Sequence, residues 1–274
     1  MLKVLSLGAG VQSSTVLLMS CVGELPKLDA CIFADTQWEP YWVYEQLEFL
    51  KSEAEKAGIE FYRVTKSNIK TDALISQVRA KKADGVRWVS MPYFTRSKDG
   101  SKGMIRRQCT SEYKVYPIHR KLRELIGLKK YQRAPKEPVV EQWFGISIDE
   151  ISRIRDSKYK WIVHDYPLIF GKPMDRNQCK EWLLEKGYPI MRRSACIGCP
   201  FHSNDEWREI RNDEILWQEA VEFDKAVRNC GGMRGQMFLH RDTVPLDEAD
   251  LGDLKDNRQQ EFGFLNECEG MCGV

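Results

Sequence analysis

No stretch of this 274-residue chain is an apolar run long enough to cross a membrane, and its first residues lack the basic-then-apolar shape of an export signal. A cytoplasmic protein is the expectation. Histidine is scarce. His119, His164, His202 and His240 fall at no paired metal spacing, which argues against a histidine-built metal centre. Only His202, three residues after Cys199, is kept as an outside candidate ligand. There is no internal repeat and no low-complexity linker, and with a net charge of +2 neither sign dominates the whole chain. Cysteine, by contrast, is plentiful. Nine are present, an odd number, and disulfides seldom persist in a reducing compartment, so some of them point to thiol or metal chemistry.

An apolar content of 42% and a charged content of 30% describe a globular chain able to bury a substantial core, as one large domain or two small ones. The charge is unevenly placed. From Arg79 to Lys136 there are 17 Lys or Arg against four acids (Asp84, Asp99, Glu112, Glu124), a balance of +13 that leaves −11 for the remainder. Trp88, Tyr93, Phe94, Tyr113 and Tyr116 are interleaved with these cations. That combination suits an anionic ligand, either a nucleotide or a nucleic acid.

The organising stretch is Leu5-Ser6-Leu7-Gly8-Ala9-Gly10-Val11-Gln12-Ser13-Ser14-Thr15. An apolar strand runs into a turn of small residues and then into a helix expected over Val11–Cys21. Such a turn presents bare backbone N–H groups and the positive end of a helix dipole, which together hold phosphate. An ordinary tight βα turn has the same composition. The pattern is neither Gly-x-Gly-x-x-Gly nor a Walker loop, because no lysine follows the glycines. Strands over Asp29–Ala34 and Glu60–Val64, with a helix over Tyr41–Ala57, continue a βαβ rhythm. The expected fold class is therefore α/β, a Rossmann-like parallel sheet with flanking helices. Ligands of such sheets sit at the carboxyl ends of the strands, where Gly8–Ser14 and Asp35-Thr36 both fall.

Residues 84–108, with Gly85, Pro92, Gly100 and Gly103, read as a basic loop. A basic amphipathic helix is expected over Glu112–Ile126, interrupted by Pro117. A strand is expected over Val139–Ile148, followed by Asp149 as a helix cap. Further helices are expected over Asp175–Lys186, ended by Gly187, and over Asp205–Val227, with Trp207, Ile210, Trp217 and Val221 on a buried face. The expected division is an α/β domain over 1–165 and a smaller, mostly helical region over 166–274 that carries a cysteine site and tail.

Cys196-Ile197-Gly198-Cys199-Pro200 has the clearest metal-ligand spacing. Two thiolates so spaced can form a redox pair, half of a zinc site or half of a cluster site. Cys109 sits beside the basic loop in Arg106-Arg107-Gln108-Cys109-Thr110. Cys268 or Cys272 could add a fourth ligand. Cys21, Cys31 and Cys179 lie in apolar or helical settings and read as structural, and Cys230 is left undecided.

Taken in order, Gly8–Ser14, Asp35-Thr36, the Arg107-Gln108-Cys109-Thr110…Tyr113-Lys114…Pro117 block, Gly145…Arg153, Tyr166-Pro167-Leu168 and the Cys-x-x-Cys resemble the PAPS/APS reductase-like branch of the adenine nucleotide α-hydrolase (PP-loop) superfamily. The resemblance covers about residues 1–205. It implies that Ser6, Gly8, Ala9, Gly10, Val11, Gln12, Ser13, Ser14, Asp35, Thr36 and Gly145 surround an adenine nucleotide, ATP or another, with magnesium. Arg106, Arg107, Lys114 and Arg153 would meet phosphate or sulfate charge, with Lys114 and Arg153 near the reaction. Cys109, Cys196, Cys199 and Cys272 would hold a 4Fe-4S cluster, with zinc as the alternative. The chain departs from the iron–sulfur reductases of that branch in two places. Gln108-Cys109 stands where they carry a tandem cysteine pair, and Glu267-Cys268-Glu269-Gly270 stands where they carry Glu-Cys-Gly-Leu-His.

Three functions follow. The first is ATP-dependent, pyrophosphate-releasing sulfur transfer onto a nucleic acid (tRNA or DNA, held through the basic 79–136 segment) or a nucleotide, served by a sulfur donor or reductant protein. The second is sulfonucleotide reduction with Cys268 as nucleophile. The third is a non-catalytic binding module with a structural metal.

Overall fold

The computed structural model describes residues 1–80, 91–229 and 235–252, and for 76–80 the backbone alone. Its centre is a parallel five-stranded sheet in the order β3-β2-β1-β6-β7. The first half of the chain alternates strictly: β1 Leu2–Leu7, α1 Val11–Cys21, β2 Ala30–Asp35, α2 Tyr41–Lys56, β3 Glu60–Thr65 and α3 Ile69–Ala80. Strands β1 to β3 progress to one side. The chain then crosses back, and β6 Val140–Phe144 pairs on the other flank of β1 (Leu2↔Val140 to Ser6↔Phe144), followed by β7 Ile162–Asp165. The order therefore reverses at β1/β6, which opens a crevice at the carboxyl edge for a ligand.

Strand alternation separates two apolar layers. Leu5, Leu7, Cys31 and Phe33 face α1, α2 and the C-terminal helices, whereas Val4, Ile32 and Ala34 face Ile118 and Leu122 of α4 Tyr116–Leu125. The larger core also takes in Leu168, Cys179, Trp182, Trp207 and Phe223. It is thus continuous across the boundary expected at 165/166, and the later helices are a further layer on the same core. These are α5 Arg176–Glu185, α6 Asn204–Arg211 and α7 Glu214–Val227.

Several expectations need correction. Part of the segment read as a loop over 84–108 forms a hairpin, β4 Phe94–Ser97 and β5 Lys102–Met104. It pairs with β8 Gly235–Phe238 in a three-stranded antiparallel sheet, order β5-β4-β8. Its strands are short and mostly exposed, and their third partner lies far along the chain, so no local periodicity announces them. The helix expected over Asp205–Val227 is two helices. Asp213 stops the first and caps the second by accepting the N–H groups of Ile215 and Leu216, each at 3.1 Å. Pro117 does not end the helix, which runs through 109–125; a π turn over Ser111–Val115 comes just before the proline, where the regular hydrogen-bond ladder is already altered and Pro117 supplies no N–H. The expected 139–148 strand ends at Phe144, and Ser147, not Asp149, precedes the short 3-10 stretch Ile148–Arg153. Asp175 caps α5 in a reciprocal capping box with Gln178, and Gly187 follows the helix at φ +74°.

Candidate functional site

Every residue from Gly8 to Ser14 is buried, at the point where β1 hands over to α1. Ala9 holds a left-handed backbone conformation, φ +59°, which a residue with a Cβ adopts only under constraint. The constraint is visible. Gln46 donates to the Ala9 carbonyl at 2.9 Å, the Gly8 N–H donates to Ser13 Oγ at 3.1 Å, and the first helical hydrogen bond runs from Ser14 N–H to Gly10 O at 3.0 Å. The preceding N–H groups of Val11, Gln12 and Ser13 come before any intrahelical acceptor. Ser14 Oγ is buried with no hydrogen-bond partner among the described residues. Ser6, one strand residue before the loop, accepts from Gln142 at 2.7 Å.

Gly145, at the end of β6, lies against the first turn of α1. A Cβ there would come within 2.4 Å of Ser13 N. The residues that follow Gly145 anchor the same turn from outside. Gln12 Nε2 donates to Ser147 Oγ at 3.4 Å and to Glu150 Oε2 at 3.2 Å, and Glu150 is also ion-paired with Arg153. Arg153 thus reaches the loop through Glu150 and Gln12. On the other side Gln46 bridges to Arg192, donating to its carbonyl at 3.2 Å and accepting its N–H at 2.6 Å, so Gln46 ties Arg192 to the loop.

The chain after Arg192 leads into the cysteines. Cys109, Cys196 and Cys199 line one narrow cleft with Thr36, Arg107 and Lys114, a cavity of about 30 Å³. Met91, Pro200 and Phe201 close its walls. The Cys-x-x-Cys forms a turn, Cys199 N–H donating to Cys196 O at 3.0 Å, and Ile197 N–H ties it to Trp38 O at 2.9 Å. Gly198 is required by the same contact, since a Cβ would sit 2.2 Å from Trp38 Cη2. His202 is placed beside this turn but contacts it through the backbone, its Nε2 lying 2.9 Å from Cys196 O.

Glu39 lies buried behind the cleft, in contact with its lining residues Thr36 and Lys114, and nothing in the sequence marked it out. Its carboxylate is buried, accepts from Thr36 Oγ1 at 3.1 Å and Ser194 Oγ at 3.5 Å, and lies 3.9 Å from Lys114 Nζ. Thr36 Oγ1 is in turn 3.1 Å from Cys196 Sγ. Desolvation, followed by the charge of Glu39, pushes the Cys196 thiol well above its ordinary value, against a smaller pull from Lys114. An isolated Glu at a helix approach carries no sequence signature. Its role appears only where β2, the π turn and the 194–199 segment meet.

Other expected site residues are placed differently. Asp35 is held by Arg63 through two hydrogen bonds, at 2.9 and 2.6 Å, and accepts from Gln37 N–H and Tyr44 OH, so it braces β2 against β3 and leaves the cleft to Thr36. Arg106 is exposed beyond β5, whereas Arg107 stacks over Phe201 at 5.1 Å on the cleft wall. Cys31 and Cys179 are buried in the core and Cys21 packs against it. Burial pushes the Cys21 thiol up to about 11. Cys230, Cys268 and Cys272 lie outside the described residues. Among the described residues no three His, Cys, Asp or Glu side chains converge closely enough to hold a metal ion. The cysteines share a cleft without forming a closed ligand set, and the expected use of Cys272 lies beyond what is described.

No protein-family model matches the sequence, and none of the curated proteins matches it. Among solved structures, the crystal structure of phosphoadenylyl-sulfate (PAPS) reductase from Candida auris in its phosphate complex is similar over 70% of this chain and 75% of that one, at 17% identity and a TM-score of 0.40.

Proposed function

We propose that the chain is a PAPS-reductase-like, PP-loop enzyme that binds an adenine nucleotide at Gly8–Ser14 and works at the adjoining cysteine cleft. One observation carries this reading. Thr36 from the end of β2, Cys109 from the hairpin exit, Lys114 from the π turn and the Cys196–Cys199 turn all meet in one cleft at the carboxyl edge of a parallel sheet.

Three thiols, those of Cys109, Cys196 and Cys199, line this cleft beside the cations Lys114 and Arg107; they do not converge into a closed ligand set among the described residues, and they are the donors from which a sulfur-ligated group would be built. Cys109, Cys196 and Cys199 would hold a 4Fe-4S cluster, or zinc in its place. Such a cluster, when bound, supplies sulfur-handling and electron-storing chemistry. The chain's own groups do the rest. Lys114 and Arg107 compensate anionic charge in the cleft, Glu39 fixes Lys114 and Thr36, and Phe201, Pro200 and Met91 limit water.

The proposed reaction is ATP-dependent sulfur transfer. An oxygen of the target attacks the α-phosphorus of ATP, the bond to the β-phosphate breaks and pyrophosphate leaves. A donor's sulfur then displaces AMP from the adenylated target. Gln46 bonds both to the Ala9 carbonyl and to the Arg192 backbone, so one side chain links the loop to the stretch that leads into Cys196. The second reading, reduction of APS or PAPS through Cys268, is supported by the Glu267-Cys268 pair in the tail.

The test is to purify the protein without oxygen, measure iron, sulfide and zinc, and assay pyrophosphate release from ATP with and without RNA or DNA. Iron and sulfide in matching amounts, lost in Cys196→Ala and Cys199→Ala, together with nucleic-acid-stimulated pyrophosphate release, is the expected result. A sulfonucleotide adduct on Cys268, abolished in Cys268→Ser, would transfer the assignment to the reductase. Bound zinc and no turnover in either assay would leave a binding module.

A further inference from the structure

Away from the cysteine cleft, the exposed face of α4, the turn after it and segment 158–161 enclose a groove of about 970 Å³. Seven of its lining side chains are Lys or Arg, among them Arg123, Lys130, Arg133 and Lys160, and one, Glu124, is acidic. Glu124 is already engaged by Arg120 at 3.4 Å and Lys121 at 3.8 Å. We infer that this groove is a binding surface for single-stranded nucleic acid, gripped by its phosphates and by stacking of its bases on tyrosine. The inference uses none of the cleft residues, so it stands independently of the proposed reaction.

Charge alone would describe a solvated face. The aromatic rings separate this groove from one. Tyr131 is 88% exposed, Tyr116 61% and Tyr159 47%, an apolar exposure that folding does not reward. Tyr131 is also preset. It sits at φ +67°, a conformation few non-glycine residues adopt. The turn that holds it is closed by Gln132 N–H to Lys129 O at 3.1 Å and Lys129 N–H to Gln132 Oε1 at 3.0 Å. Lys130 lies 5.1 Å over the Tyr131 ring, which leaves the opposite face for a base. Across the groove Tyr159 packs edge-on against His119 at 4.6 Å and Trp161 supports it at 6.2 Å, making a fixed aromatic wall. Cations on both sides of open, rigid aromatic faces form a backbone-tracking groove with stacking platforms. Stacking requires unpaired bases, so single strands fit where a duplex would offer phosphate alone.

The groove lies toward the amino ends of β6 and β7, since Trp161 O accepts the N–H groups of Val139 and Val140 there. Lys114 of the cleft and the groove share one helical segment, of which α4 spans about 15 Å. A strand in the groove therefore runs beside the helix whose start enters the cleft.

The test is fluorescence anisotropy of the full chain with a labelled mixed-sequence oligonucleotide of about 16 nucleotides, as RNA and as DNA, over a range of salt. Binding should weaken with salt. The variant Lys129→Ala/Lys130→Ala/Arg133→Ala should lower affinity at least about tenfold and flatten the salt slope by about 2, since each phosphate left without its cation removes about 0.7. Tyr131→Ala should weaken binding about tenfold with the slope unchanged. Lys158→Ala/Lys160→Ala, on the opposite wall, should flatten the slope by about 1.4, two contacts at about 0.7 each. No binding at about 50 mM salt, or full binding by the triple variant, overturns the inference. Equal loss of heparin and oligonucleotide binding in Tyr131→Ala also overturns it, because heparin has no bases to stack.

Discussion

Replacing Gly145 by alanine tests whether the β6 end and the loop are assembled as described. The new methyl would lie 2.4 Å from Ser13 N, 2.5 Å from Ser13 Cα and 2.9 Å from the Gln12 carbonyl carbon, where ordinary contact begins near 3.4 Å. About 1 Å of separation must therefore open between the strand end and the first turn of α1. Neither side yields easily. β6 is hydrogen-bonded to β1 and β7, and α1 is buried from Val11 to Ser20. Gly145 does not occupy the left-handed region, so the effect comes from contact and not from backbone strain. Overpacking of this kind costs about 1–3 kcal/mol, and each kcal/mol lowers Tm by about 2–4 °C for a chain of this size class. The same 1 Å shift misplaces the proposed phosphate cradle, an error that costs on the order of 100-fold when it reaches a reacting group. Thermal melting and calorimetric titration with ATP read the two effects separately. An unchanged Tm would refute the packing argument. A lowered Tm with undiminished ATP affinity would keep the packing and refute the loop as the nucleotide site.

Gly198→Ala should press on Trp38, which is held by Phe223 at a ring separation of 4.5 Å and by Glu219 through a 2.7 Å hydrogen bond. We expect a loss of about 1–3 kcal/mol and faster labelling of Cys196 and Cys199 by a thiol reagent, and unchanged labelling would count against the turn as described. Lys114→Met leaves Glu39 without its buried counter-ion and should destabilise by about 3 kcal/mol in urea unfolding, part of which Lys114→Met/Glu39→Gln recovers. Strictly additive effects would show that the pair is not coupled. On acidification, His119 is held down to about 4 by burial and then by His164, and burial likewise holds His164 and His240 below their ordinary values. The unfolded chain therefore takes up protons first, and stability, full above about pH 6.5, should fall on the order of 2–3 kcal/mol toward pH 4 from His119 alone. A slope unaltered in His119→Phe would remove that residue as the cause.

The legible parts were those in which a few neighbouring residues settle the outcome. The helix over Val11–Cys21 follows from its glycine-rich start and apolar continuation, and β2 is legible because Ala-Cys-Ile-Phe-Ala is apolar throughout and ends in polar residues. The hairpin over 94–104 escaped because strands of three or four residues, none of them fully buried, gain their order from pairing with each other and with β8, not from their own propensity. Asp35 at the end of β2 is visible in the sequence, whereas its pairing with Arg63 on the neighbouring strand is not.

The sequence by itself thus determined the α/β rhythm, the loop at the end of β1 and the kinds of group available for chemistry, since each depends on contacts within a turn or two of chain. Tertiary structure alone decided that Cys109 lines one cleft with Cys196 and Cys199, that Glu39 contacts both Lys114 and Thr36, and that Arg153 is linked to the loop through Glu150 and Gln12. The physical reason is that such meetings depend on which faces of the sheet are buried and on which loops close across it. Those contacts span many tens of residues, and local preference carries no information about them.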